Sequence, residues 1–281
     1  MKTIILPTDF SPVATNAMNY AVDMAMELKA SLLLLHVYQV PVSYNNNTNE
    51  VAPFPVVDIN ELEVVNKERL ASLKEDIERI TSGEIKVFTQ VKMGVLINEL
   101  ETLCETVKPF AVIMGNKGAG LIERLLIGSS ALSAIRHLNW PVLIVPPGAT
   151  FKGLKKIGYA CDFKKLSDTI PVDVLTEWTK NFSAELDILN VDFNIDSADK
   201  KIREQEEIIR SLLGELSPKF FFINNQEIEK SIHRFAETNN IDLLIVVPRK
   251  HNLLESLFQK SHSKELVFHS HIPILSVRRK D

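Results

Sequence analysis

Three glycines and two serines carry the clearest chemistry in this chain, in the spacing Gly115-x2-Gly118-x9-Gly128-Ser129-Ser130. The apolar run Phe110-Ala111-Val112-Ile113-Met114, bounded by Pro109 and Gly115, reads as a buried parallel strand. Ala131-Leu132-Ser133-Ala134-Ile135 reads as a helix opened by Gly-Ser-Ser. Glycines let backbone N–H groups approach a ligand, and a helix N-terminus favours negative charge. Together they describe an anion site suited to a nucleotide's phosphates. The plainer alternative is that glycines after a strand are only turn residues. The pattern is neither a P-loop, since no Gly-Lys-Ser/Thr follows, nor the G-x-G-x-x-G fingerprint of a first strand.

The elements that must position these residues follow from periodicity. Thr3–Pro7 is a short strand, followed by a turn at Thr8-Asp9-Phe10-Ser11. From Val13 to Leu28, apolar residues at Ala17, Tyr20, Ala21, Met24 and Leu28 fall on one helical face. Ser31–Tyr38 is a leucine-rich strand covered on both sides. Tyr38 to Val57, with its run of asparagines, reads as a long polar loop, either a flap or simply mobile. Helix Ile59–Ile80, strand Ile85–Val91, helix Leu96–Val107, helix Ala131–Leu138 and strand Pro141–Val145 complete the alternation. Such alternation predicts a doubly wound α/β fold, a parallel sheet with helices on both faces. Ligands bind such sheets at the strands' carboxyl ends where strand order reverses, so Thr8-Asp9 and Gly115–Gly118 are the natural candidates.

The rest of the chain repeats this plan. Pro7-Thr8-Asp9-Phe10 returns as Ala160-Cys161-Asp162-Phe163 after strand Lys156–Tyr159, and Leu35-His36-Val37 as Leu189-Asn190-Val191. From Gly94 onward the halves align without gaps at an offset of 132, so that Pro141-Val142-Leu143 falls on Pro273-Ile274-Leu275. A Gly-containing basic link, near Pro147–Lys155, separates the copies. The second copy has lost its glycines: Gly94, Gly115, Gly118 and Gly128 fall on Gln226, Val247, Lys250 and Lys260, while Ser129 keeps its type as Ser261. Side chains there occupy the space where backbone would meet phosphate, and β-branched Val247 resists a left-handed backbone. Pro248 also removes an N–H donor.

Gly115-x2-Gly118-x9-Gly128-Ser129 is similar, without departure, to the nucleotide-binding motif of the universal stress protein family. Ile4-Ile5-Leu6-Pro7-Thr8-Asp9-Phe10-Ser11, Leu34-Leu35-His36-Val37 and Trp140 to Pro146 resemble that family's first strand and turn, second strand and last strand. The resemblance implies two tandem doubly wound five-stranded parallel-sheet domains of the adenine nucleotide alpha hydrolase-like type, with strand order 3-2-1-4-5. Residues 1–148 would carry the intact motif and residues 153–281 the degenerate one. It implies ATP as ligand, with Mg²⁺ on the phosphates: Asp9 at the ribose, the Val37 backbone at adenine, and Pro7, Thr8 and Met114 lining the pocket. Gly115, Gly118 and Gly128 would approach the phosphates, with Ser129, Ser130 and Lys117 beside them. Each has an ordinary alternative: Asp9, Ser129 and Ser130 as helix caps, Lys117 as a solvated loop tip, Val37, Met114 and His36 as packing residues. The fifth strands, Pro141–Val145 and Pro273–Val277, are expected to pair the halves as an internal pseudo-dimer, and a homodimer of the whole chain stays open.

Bulk properties set the class. The chain has 281 residues, 45% hydrophobic and 24% charged, as in a soluble globular protein of two domains. A net charge of −4 with no Lys/Arg-rich block argues against nucleic acid as partner. Two cysteines, Cys104 and Cys161, make no disulfide framework or metal spacing. No apolar run approaches the roughly 18 residues of a membrane span and nothing reads as a signal peptide, so the expected location is cytoplasmic, with no membrane partner. The expected function is nucleotide-dependent regulation through an unknown protein partner, not catalysis: no adenylyl-transfer motif and no clustered base and cation set is present. A slow ATPase and a ligand-independent scaffold are the alternatives.

Overall fold

A computed structural model of the chain describes residues 1–40, 59–116, 128–161, 163, 170–192, 200–247 and 272–278. The N-terminal half contains β1 (Thr3–Pro7), α1 (Pro12–Leu28), β2 (Ser31–Tyr38), α2 (Ile59–Ile80), β3 (Val87–Met93), α3 (Leu96–Val107), β4 (Ala111–Gly115), α4 (Ser129–His137) and β5 (Val142–Val145). The C-terminal half contains β6 (Lys156–Ala160), α5 (Val172–Phe182), β7 (Glu185–Asp192), α6 (Lys200–Leu213), β8 (Lys219–Asn224), α7 (Ile228–Thr238), β9 (Leu243–Val246) and β10 (Ile274–Ser276).

These strands form one ten-stranded sheet in the order β3-β2-β1-β4-β5-β10-β9-β6-β7-β8. Read inward from either edge, each half has the expected 3-2-1-4-5 order, and every pairing within a half is parallel. The halves meet at the fifth strands, which pair antiparallel with Leu275 opposite Leu143. Residues 4–6 of β1 and 111–114 of β4 are apolar without a break because alternate residues enter different cores. Ile4 and Leu6 point into one core and Ile5 into the other.

The element limits differ from the sequence reading where pairing or packing decides them. β3 runs from Val87 to Met93 rather than Ile85 to Val91, because it lies alongside β2 from Leu32 to Tyr38. β4 keeps Gly115, which pairs with Val145 as strand and is not a turn residue. α4 begins at Ser129, two residues before the expected Ala131. Cys104 is fully buried and, as its helical setting suggests, behaves as an apolar residue, burial and then the nearby Glu101 charge raising its thiol to about 12.

The segment between the halves is packed rather than tethered. Ala149, Phe151 and Leu154 are buried, and Phe151 lies between Tyr20 of α1 and Phe182 of α5, with ring centroids 5.3 and 6.0 Å away. Beside it Phe110 stacks on Trp178 at 4.7 Å, and Lys2 Nζ donates to Asn181 Oδ1 at 2.8 Å. One core therefore runs across the junction, from Ile4 and Leu34 to Trp178, Ile188 and Leu275. No helix of the described residues is long and apolar enough to cross a membrane.

One side chain opposes this packing. Asp187, in β7, is 2% exposed, and its Oδ1 has no partner among the described residues. Burial raises its carboxyl pKa, against the pull of Lys156 and Lys219. A raised native pKa means that stability is lost as pH climbs from the unfolded value, about 3.9, through the native one. The sequence repeat puts Leu33 at the matching position of β2. Asp187→Leu is accordingly expected to stabilise the protein by about 1–3 kcal/mol at pH 7. Urea midpoints of the two proteins check this, and the gain should shrink below pH 4.

Candidate functional site

A cleft of about 400 Å³ opens at the carboxyl ends of β1, β2 and β4, between the N-termini of α1 and α4. β1 and β4 are neighbours with the sheet reversing between them, so the cleft sits at the topological switch. Its walls include Pro7, Thr8, Asp9, Val37, Met114, Gly115, Gly128, Ser129 and Ser130, which the fold brings together from β1, β2, β4, α4 and the turns beside them. Lys117 and Gly118 lie outside the described residues. Five further lining residues were not singled out by the sequence as site residues: Ser11, Val13, Ala14, Leu96 and Ala131. Only Ser11 carried a signal, as a hydroxyl at the turn before a helix.

The β1–α1 turn is held tightly by the protein itself. Thr8 N–H donates to Leu35 O at 2.8 Å, and Thr8 Oγ1 accepts from Phe10 N–H at 3.0 Å. The Thr8 carbonyl accepts from His36 Nδ1 at 2.8 Å, which places a proton on that nitrogen since a carbonyl cannot donate. Asp9 is exposed, and its Oδ1 accepts from Ser11 N–H at 3.0 Å. Partial burial pushes its carboxyl up, but Ser11's hydroxyl and backbone N–H, with the nearby His36, outweigh that and hold it below the usual range. Asp9 is thus a carboxylate at neutral pH, and that state loses its advantage only as pH falls through the lowered value.

The two helix ends facing the cleft differ. At α1, Ser11 is the N-cap: its Oγ accepts from Ala14 N–H at 3.2 Å, and Pro12 has no N–H to satisfy. At α4, the cap position is Gly128, and among the described residues no side chain caps the helix. Leu132 N–H makes the first intrahelical bond, to Gly128 O at 2.9 Å, so the N–H groups of Ser129, Ser130 and Ala131 lie at the partially positive helix end with no partner among the described residues. Both serines are exposed, and neither is a cap as the alternative reading had it. His137 and Arg136 in the last turn suit the opposite end.

Gly115 acquires a different physical reason from the one its spacing suggests. A Cβ at this position would lie 2.5 Å from Val13 Cγ1 and 2.6 Å from Val13 O. The missing side chain lets α1 start against the strand, and no left-handed backbone is involved. Resistance of Val247 to such a backbone is therefore not what separates the halves. Val247 packs on the shared core, and α5 begins later in the repeat than α1 does. Asp162, Pro248, Lys250, Lys260 and Ser261 lie outside the described residues.

The universal stress protein family model matches residues 1–146, just over half of the chain and all of the cleft. The chain belongs to the universal stress protein family. A universal stress protein from Methanocaldococcus jannaschii is 30% identical over 149 residues, 51% of this chain and 81% of that relative. Universal stress protein G from Shigella flexneri is 28% identical over 148 residues, again 51% of this chain and 98% of the relative. These relatives each match about half of the present chain. A solved universal stress protein from Archaeoglobus fulgidus covers 99% of it, with 98% of its own length, a TM-score of 0.73 and 19% identity. The fold of both halves is thus that of a known universal stress protein.

Proposed function

We propose that this universal stress protein binds ATP in the N-terminal cleft and works as a nucleotide-dependent regulator, not as an enzyme. The observation that carries the reading is the open N-terminus of α4, with two exposed serine hydroxyls, facing a carboxylate across one cleft. The phosphates would take the N–H groups and hydroxyls of Ser129 and Ser130, and Asp9 would accept the ribose hydroxyls. Adenine would lie by Val37 and Met114, against an apolar wall. Mg²⁺ would arrive on the phosphate oxygens, since no group of three acidic, His or Cys side chains among the described residues could hold a metal. Asp9 is the one titratable side chain among the described residues lining the cleft, too little for a base and a charge clamp together. In this reading residues 1–148 and 153–281 are two stress-protein units, the second without ATP.

Calorimetric titration with ATP and Mg²⁺, after any co-purified nucleotide is removed, tests the reading. One ATP per chain is expected. Gly128 has φ −58° and ψ 146°, a conformation open to any residue, so Gly128→Lys should keep the fold. Its side chain would fill the phosphate end and weaken ATP by at least about tenfold. Two ATP per chain would overturn the assignment of the second half, and undiminished affinity in Gly128→Lys would remove the site from α4. No binding at all would favour the scaffold, for which the continuous core between the halves suffices.

A further inference from the structure

The turn that carries Thr8 and Asp9 into the cleft is built on an unfavourable backbone. Phe10 has φ 63°, in the left-handed region that bulky residues avoid. Its conformation persists because its surroundings fix it. The Phe10 ring lies 4.7 Å from the His36 ring, and the Arg69 guanidinium carbon of α2 lies 3.9 Å from its centroid. His36 in turn donates from Nδ1 to the Thr8 carbonyl, and its ring stacks parallel to Tyr38 at 6.5 Å. None of these three residues, Phe10, His36 or Arg69, lines the cleft.

The C-terminal half has the same device in other residues. Phe163, at the position matching Phe10, has φ 53°. Asn190, at the position matching His36, donates from Nδ2 to the Cys161 carbonyl at 2.7 Å. Phe163 is held edge-on by Phe222 and Phe220 of β8, at 5.4 and 6.4 Å, in place of His36 and Arg69. What recurs is one side-chain N–H donor under the turn carbonyl and one anchored ring. The identity of the donor is free to change.

We propose that His36 is a positioning residue for the ligand turn, replaceable by asparagine but not by an apolar residue, with Arg69 fixing the Phe10 ring beside it. The proposal rests on the cleft being the nucleotide site, because its functional effect is read as ATP affinity. An apolar residue at position 36 leaves the Thr8 carbonyl without its donor, so the turn samples conformations that move Asp9 and Ser11.

The test compares wild type, His36→Asn and His36→Leu by ATP titration and, without ligand, by amide hydrogen exchange over Thr8–Ser11. His36→Leu is expected to weaken ATP about fivefold, the scale of one hydrogen bond, and to speed exchange in that segment at a near-unchanged unfolding midpoint. His36→Asn should stay within about twofold of wild type in affinity, because it restores the donor, and should keep the protection. Wild-type affinity and exchange in His36→Leu would overturn the proposal, as would a His36→Asn protein as impaired as His36→Leu. If wild type binds no ATP, the nucleotide reading falls, and the exchange comparison still decides whether His36 holds the turn.

Discussion

Trp178→Ala should lower the free energy of unfolding by about 3–5 kcal/mol, the range for removing a large buried aromatic. Trp178 is fully buried, stacked on Phe110 at 4.7 Å and against Phe182 at 5.8 Å. Its Nε1 has no partner among the described residues, so truncation forfeits packing and leaves no lost hydrogen bond to count. Phe110 belongs to the N-terminal half and Trp178 to the C-terminal half, so the cavity opens in the core they share. The remaining tryptophan, Trp140, packs in the core confined to the N-terminal half and reports on that half alone. Urea unfolding followed by Trp140 fluorescence and by far-ultraviolet circular dichroism should give one coincident transition at a lower midpoint. A Trp140 transition left at its wild-type midpoint would show that the halves unfold separately and that the stack does not couple them.

Gly115→Ala is expected to be nearly as severe, at about 3 kcal/mol, the upper end for overpacking. Relief of the clash with Val13 Cγ1 could come from a rotamer change, but the Val13 carbonyl oxygen and carbon, 2.6 and 3.1 Å from the new Cβ, are backbone. Reaching an ordinary separation of about 3.5 Å requires the start of α1 to move by roughly an ångström. That helix turn carries Ser11, which caps Ala14 and bonds Asp9, so the shift propagates to the cleft. Gly115→Ala should therefore lose both stability and ATP affinity, whereas Gly128→Lys should lose affinity alone. Denaturation and titration of the two variants side by side separate the roles of the two glycines. A Gly115→Ala protein as stable as wild type would show that α1 is not pinned there.

Much of the fold was legible in the sequence because the helices and strands advertise their periods. Ser31–Tyr38, Ile59–Ile80 and Leu96–Val107 lie where apolar spacing and flanking residues place them, and both the family and the strand order follow from the quoted motifs. What could not be read depends on contacts between residues far apart in the chain. Gly115 stands against Val13 because β4 and α1 happen to meet, and no local signal distinguishes that from a ligand's approach. Phe151 looked like part of a connecting link, and becomes core only because Tyr20 and Phe182 face it. In the cleft, residue types indicated which groups gather, while the contrast between a closed α1 end and an open α4 end needed coordinates.

The antiparallel pairing of β5 with β10 has a consequence for access. Strands of one half run against those of the other, so at the seam their carboxyl ends lie on opposite rims of the sheet. A molecule occupying the N-terminal cleft cannot also reach the matching rim of the C-terminal half. The chain is thus two-ended, with the two sets of strand ends facing opposite ways. Any influence of a ligand in the N-terminal cleft on the far rim would have to pass through the packed seam of Phe110, Phe151 and Trp178.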